Sequence, residues 1–286
     1  MATAESSGAV GLVLARPARL LGAEPFFMEF IAGIEERLTE QDMSVLLHMV
    51  PTHDAELAAY RRWAAGRLVD AVVLVNRAVD DPRPALLREL DMPVVVVGEP
   101  AAALCGPAVR TDDAGPVMEA LRHLFELGHS RIARITGPAG LLHTAARTAV
   151  MLDGCRAAGA VPMILEGDYS EESGAKLTAA LLDRPEPPTA ILYDNDVMAV
   201  AGLGVAKELG VSVPGRLSLI AWDDSTLCRL ASPALTTMSV DVHQFGIVVA
   251  QSVLELIGGH LVAERWSPAA TLVVRESSSA VPDQKI

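Results

Sequence analysis

Aromatic residues make up only 4% of this 286-residue chain, cysteine occurs three times, and neither a basic cluster nor a long apolar run is present. Each shortage excludes something. With 51% hydrophobic residues and few rings, a core has to be assembled from Ala, Val, Leu and Ile, the composition of α/β proteins whose strands are buried on both faces. Cys105, Cys155 and Cys228 are odd in number, far apart and outside any CxxC or Cys/His pattern. That favours plain buried thiols in a reducing compartment and argues against structural zinc. Lys and Arg total 23 against 36 Asp and Glu, for a formal charge of -13. Nucleic-acid binding rests on neutralising phosphates, so the chain is not expected to grip DNA unaided. The most apolar windows, PVVVVG (93–98) and VMAVAGLGVA (197–206), fall well short of the ~20 residues of a membrane span. The opening MATAESSGAVGLVLARP lacks a basic region followed by a signal-length apolar stretch. A soluble, cytoplasmic protein with no membrane partner is expected.

What is present is alternation. Strand candidates fall at 9–15, 44–50, 71–76, 93–98, 131–137, 161–167, 189–194 and 217–222. Helical-period segments such as 26–41, 54–66, 114–128 and 243–259 lie between them. In the first helix Phe27, Phe30, Ile31, Ile34 and Leu38 share one face, as on a helix laid against a sheet. Gly128 and Gly210 stand where a left-handed helix C-cap favours glycine, and Pro93 and Pro214 mark the approach to strands. Cores divide above roughly 250 residues, so the pattern predicts α/β architecture with two doubly wound parallel sheets and right-handed crossovers. The polar end SSSAVPDQKI (277–286) is expected to fray.

Motifs for catalysis are missing. GLGVAK (202–207) lacks a third glycine and lies inside an apolar helix, and no GxxxxGK[ST], HExxH or GxSxG occurs. No cofactor, catalytic residue or metal site is therefore expected, and the protein is read as a binding protein, not an enzyme. In open parallel sheets ligands bind beyond the carboxyl ends of strands. That rule selects Asp223 after LSLIAW, Asn195 and Asp196 after TAILYD, His143 and Arg147 in the loop and first helical turn after RIARITG, and Phe26 and Phe27 after the first strand. A carboxylate, a guanidinium and an amide aimed into one crevice could bind a polyol or polar ring, each charge-assisted hydrogen bond being worth about 1.5–3 kcal/mol. Asp196 also reads as a helix N-cap, as do Asp224 and Ser225 before STLCRLA, while Asn195 and Asp223 stay open between cap and ligand contact. Phe26 and Phe27 are adjacent, so one can face the core and the other the crevice.

The segment PPTAILYDNDVMAVAGLGVAKELGVSVPGRLSLIAWDDSTLCRLASPALTTMSVD (187–241) resembles the effector-binding core of the lactose and galactose repressor (LacI) family of bacterial transcriptional regulators. Its landmarks are the ND pair before a helix, GVSVPGRLSLI leading into a strand, an aromatic followed by DD, and P-x-L-T-T at Pro233 to Thr237. EPFFMEFIAGIEERL (24–38), ELGHSRIARITGP (126–138), Arg147 in HTAARTAV and LVVRESS (272–278) extend the resemblance over essentially the whole chain.

The resemblance implies a periplasmic-binding-protein-like type I fold: two Rossmann-like lobes joined by three crossovers, a small-molecule effector in the cleft between them, and a homodimer. On that mapping the N-terminal lobe is 8–111 plus 240–266, the C-terminal lobe 112–238 plus 268–280, and 1–7 and 281–286 are flexible termini. Phe26 and Phe27 match positions that flank the ligand. Arg147 matches the arginine that holds its polar groups, and Asn195 and Asp223 match the amide and carboxylate at its hydroxyls. His143 matches a contacting loop position, and Trp222 lines the cleft. The effector class implied is a sugar, a sugar derivative or another small polar-aromatic metabolite. Gly98 stands where many sugar-responsive members carry an acid, Leu141 and Leu142 where polar residues are common, and Val150 where glycine is usual, which argues against a plain monosaccharide. The family's helix-turn-helix has no counterpart ahead of the first strand near residue 9, so DNA contact is expected only through a segment outside this chain. A transport-associated solute-binding protein of the same fold and an enzyme on a doubly wound scaffold are the alternatives.

Overall fold

The computed structural model describes residues 7–16, 24–100 and 106–281. Two compact units emerge, one from Met1–Thr111 with Asp241–Ala269, the other from Asp112–Val240 with Ala270–Ile286. The chain thus passes from one unit to the other three times, at Thr111, Val240 and Ala269.

In the first unit β1 (Ala9–Ala15), α1 (Pro25–Thr39), β2 (Ser44–Val50), α2 (His53–Gly66), β3 (Ala71–Leu74), α3 (Arg83–Glu89), β4 (Val94–Val97) and β5 (Ala108–Arg110) follow one another. The second unit contains α4 (Gly115–Glu126), β6 (Arg131–Thr136), α5 (Leu142–Ala157), β7 (Val161–Glu166), α6 (Glu171–Leu182), β8 (Ala190–Tyr193), α7 (Asp196–Glu208), β9 (Ser218–Trp222), α8 (Thr226–Leu230) and β10 (Thr236–Ser239). The chain then returns to the first unit as α9 (Val242–Ile257) and β11 (Arg265–Trp266), and ends in the second as β12 (Thr271–Val273).

The first sheet runs β11-β5-β4-β3-β1-β2, parallel at every pairing, and the second β12-β10-β9-β8-β6-β7, with only β12 antiparallel. Central strands such as β3, with all four residues buried, have helices on both faces, which explains why they read as unbroken apolar runs. Helices α1 and α9 pack backbone to backbone. A β-carbon on Gly33 would fall 2.0 Å from the His243 carbonyl oxygen, and one on Gly246 would fall 2.2 Å from that of Phe30.

Strands β5, β10, β11 and β12 are absent from the eight sequence candidates. Each has four residues or fewer, and β10 buries the threonines Thr236 and Thr237 where an apolar pattern was sought. The expected fraying of the C-terminal serines is overturned. Ser277 is fully buried, its hydroxyl accepting from Thr236 N–H (2.8 Å) and donating to the Leu219 carbonyl (2.7 Å). Ser278 bonds Thr236 Oγ1 and His123, and Ser279 bonds Ser218 and the His129 ring. Polar residues stay ordered here because hydroxyls supply partners that buried backbone groups require. Of the terminal residues expected to be flexible, Ser7 donates its N–H to Asp70 (2.8 Å) and Val281 donates its N–H to the Leu127 carbonyl (2.9 Å). Residues 1–6 and 282–286, like Cys105, lie outside the described residues. Cys155 and Cys228 are free thiols in the core. Gly128 (φ +84°) and Gly210 (φ +68°) take the left-handed conformation their positions suggested. No helix among the described residues is long and apolar enough to cross a membrane.

Candidate functional site

In the second unit the carboxyl ends of four neighbouring strands carry a connected group of polar side chains. Arg147 lies in the second turn of α5, because that helix begins at Leu142, earlier than the sequence suggested. Its guanidinium carbon is 4.0 Å from the centroid of the Trp222 ring, and its Nε donates to Asp113 Oδ1 at 2.8 Å. Burial pushes the Arg147 pKa down, but Asp113, Asp194 and Tyr169 outweigh it and hold the group above its ordinary value. Among the described residues Nη1 and Nη2 donate to no protein acceptor. A cation held over an indole, with both terminal nitrogens left over among the described residues, is suited to a planar or vicinal pair of acceptor atoms.

His143, one turn earlier, places Nε2 2.9 Å from the Tyr169 hydroxyl. Burial, and after it the Arg147 charge, depresses its pKa to about 4, so the imidazole is neutral at pH 7. Tyr169 follows β7 at φ +70°. Its ring lies directly on Gly137, where a β-carbon would fall 2.0 Å from Cζ. Asn195, after β8, is buried; its Nδ2 donates to the Tyr169 carbonyl (3.0 Å) and its Oδ1 accepts from Met198 N–H (2.9 Å).

That second bond makes Asn195, left open from sequence, the N-cap of α7, and Asp196, read from sequence as the cap, its first helical residue. Burial raises the pKa of the Asp196 carboxyl. Ser225 caps α8 as expected, by accepting from Leu227 N–H. Asp224 does not; it pairs with Arg275 at 2.7 Å, an interaction worth more to a half-buried carboxylate than a distant N–H. Asp223 is half-buried at φ +66°, and its carbonyl accepts from Thr237 Oγ1 and, at 3.7 Å, from Cys228 Sγ. Trp222 is 7% exposed, so most of its surface belongs to the core and the Arg147 stack.

Beneath this layer lies a fully buried ion pair. Arg134, in the middle of β6, donates Nε and Nη2 to the two oxygens of Asp194 at 2.7 and 2.8 Å. Asp113, Tyr169, Arg134 and Asp194 were not singled out from the sequence. Asp113 follows a strand too short to be read as one. Tyr169 stands just beyond VPMILEG, within reach of the rule used for the others. Arg134 and Asp194 were taken as parts of strands.

In the first unit Phe26 and Phe27 open α1 behind Pro25. Phe27 is 5% exposed beneath the Arg16 guanidinium, 4.5 Å from its ring centroid, and Phe26 is half-buried, edge-on to Phe27 at 5.3 Å and stacked on Phe30 at 6.0 Å. Both rings join the core cluster, so the division of one to core and one to ligand is a matter of degree. Gly98 has φ +98°, a conformation L side chains rarely adopt, so an acid at this position would require a different backbone.

Two units built on parallel-dominated sheets, the second with polar groups gathered at its strand ends, place those groups where open parallel sheets take their ligands. A family model described as the periplasmic binding protein-like domain matches residues 121–278. The HTH-type transcriptional regulator AglR of Rhizobium meliloti (strain 1021) is 32% identical over 96% of this chain and 79% of its own length. The HTH-type transcriptional repressor CytR of Escherichia coli (strain K12) is 30% identical over 91% and 77%. A crystal structure of a LacI family transcriptional regulator from Bifidobacterium animalis subsp. lactis DSM 10140 superposes with a TM-score of 0.87 at 35% identity, covering 97% of this chain and 100% of that one. A transcriptional regulator CelR–cellobiose complex gives 0.85 at 29%, covering 96% and 85%. The chain belongs to the LacI family of transcriptional regulators and carries its periplasmic-binding-protein-like fold.

Proposed function

We propose that this chain is the effector-sensing and dimerising part of a cytoplasmic LacI-type regulator, that Arg147, His143, Asn195, Asp223 and Trp222 are the effector contacts of the second unit, and that Phe26 and Phe27 are contact residues of the first. The observation that carries this reading is Arg147: stacked on Trp222, anchored to Asp113, and left, among the described residues, with both terminal nitrogens unoccupied. Asp223 supplies a carboxylate for ligand hydroxyls, neutral His143 and Tyr169 supply a donor and acceptor that carry no charge, and Asn195 has one N–H beyond that given to Tyr169. The cellobiose complex of a relative supports a sugar or sugar-like effector. Signalling requires the effector to bind two conformations of the protein with different affinities, since equal affinities shift nothing. DNA contact belongs to a helix-turn-helix segment of the kind the relatives' names indicate, and the partner in dimerisation is a second copy of the chain.

The test is a thermal-shift panel of cellobiose, monosaccharides, sugar acids, nucleosides and purines, in which a binding compound raises the melting temperature. Calorimetric titration of Arg147→Ala with the compound so found should show at least about a hundredfold loss, from two charge-assisted bonds of about 1.5–3 kcal/mol each. Unchanged affinity in both Arg147→Ala and Asp223→Ala would remove the site. Recovery of the compound unaltered after long incubation separates a sensor from an enzyme, and light scattering reports the dimer.

A further inference from the structure

Arg134 is 1% exposed in the middle of a β-strand, between Ala133 and Ile135 of the core. An ion pair at such a depth contributes little to stability, because desolvating both charges offsets their attraction. Its partners suggest another role. Asp194, which accepts from Arg134 Nε and Nη2, also accepts from the Gly137 N–H, through Oδ2 at 3.0 Å. Arg134 Nη1 donates to Thr148 Oγ1 at 3.0 Å, and that hydroxyl donates to the Thr144 carbonyl at 2.7 Å. Gly137 is the floor under the Tyr169 ring, Asp194 precedes the Asn195 that bonds the Tyr169 carbonyl, and Thr144 and Thr148 directly follow His143 and Arg147 along the chain. Two polar contacts of one buried pair therefore reach the loop after β6 and the second turn of α5, Thr148 carries the second on to the first turn, and Asp194 itself opens the loop after β8.

We propose that Arg134 and Asp194 are positioning residues for the effector site, setting where Tyr169, His143 and Arg147 stand and thereby which effector is admitted. They touch no ligand themselves. The proposal rests on the functional reading above, but its first readout needs no effector. The groups facing His143 are Arg147 on its own helix, Asp113 ahead of α4, Asp194 after β8, Arg134 in β6 and the Tyr169 hydroxyl after β7. Asp194 acts to raise its pKa and Arg134 to lower it.

Histidine resonances of the ligand-free chain are followed by NMR from pH 4 to 8. Arg134→Met should raise the His143 midpoint, whereas Arg134→Lys, which keeps the charge, should leave it low. Arg134→Met leaves a buried carboxylate without its partner and is destabilising, so the neutral pair Arg134→Met/Asp194→Asn is measured beside it; Asn retains an acceptor for Gly137. That double variant should keep its melting temperature within a few degrees and lose at least tenfold in affinity for cellobiose, or for whichever panel compound binds the wild type. A double variant that folds and retains full affinity, or an Arg134→Met protein whose His143 titrates as in the wild type, overturns the proposal. A wild type that binds nothing in the panel counts against the functional reading, while the His143 titration still decides the role of the pair.

Discussion

Gly137→Ala isolates one contact. Gly137 is not among the residues at positive φ, so its backbone accepts alanine and the obstacle is steric alone. The new methyl would fall 2.0 Å from Tyr169 Cζ and 2.1 Å from its hydroxyl oxygen. Carbon atoms in contact prefer about 3.5–4.0 Å, so the ring has to withdraw by about 1.5 Å. The His143–Tyr169 bond, 2.9 Å long, does not survive a displacement of that size. Loss of one neutral hydrogen bond costs about 0.5–1.5 kcal/mol. Tyr169 is only half-buried in a loop, so it can swing outward and the fold should persist with a total cost of about 1–2 kcal/mol. His143, no longer covered, regains water, and its pKa should climb from about 4 toward the ordinary value of 6.5. Proton NMR across pH 4–8, with a thermal melt, measures both effects. An alanine variant whose histidine titrates as in the wild type would refute the steric reasoning.

Other substitutions probe the frame around the site. The folded-state pKa of His143 is depressed, so its contribution to stability is present above about pH 6.5 and is lost as pH falls toward 4, by at most about 3 kcal/mol; urea melts of His143→Gln should show a flatter profile across that window. Ser277→Ala removes the partner of a buried Thr236 N–H and should cost about 1–3 kcal/mol in the same assay, with no loss if the C-terminal serines are merely surface. Gly33→Ala drives a methyl into the His243 carbonyl and should cost about 3 kcal/mol, whereas Gly204→Ala, on an exposed helical face with nothing within 4 Å, should stabilise by about 0.5–1 kcal/mol; equal effects of the two would show that the α1–α9 contact is not close.

Most of the fold could be read because buried parallel strands leave an apolar signature that does not depend on their neighbours. β1 and β2 fall on the predicted 9–15 and 44–50, and the other six candidates lie within a residue or two of observed strands. What escaped was structure held by tertiary partners. β11 has two residues and exists only because β5 is beside it. The buried C-terminal serines have no local pattern, since their partners, Leu219, Thr236 and Ser218, are about forty or more positions away in the chain. Caps were misassigned for a related reason: Asn195 and Asp196 are both good N-caps, and only the position of Tyr169, which occupies the Asn195 amide, distinguishes them.

The site was legible in kind more than in detail. Strand-end position alone located Arg147, Asn195 and Asp223, because a parallel sheet turns all its carboxyl ends the same way. It could not indicate which of these face a ligand and which hold one another. Arg147 and Asn195 are both selected by that rule yet differ in the structure: among the described residues the arginine keeps both terminal nitrogens open, while the amide, bonded through its oxygen and one N–H, keeps a single N–H. The difference is made by Asp113 and Tyr169, whose side chains complete the set from the segments that follow β5 and β7. A search for polar residues after strands finds the candidates; dividing them into contacts and supports requires knowing where each hydrogen bond already goes.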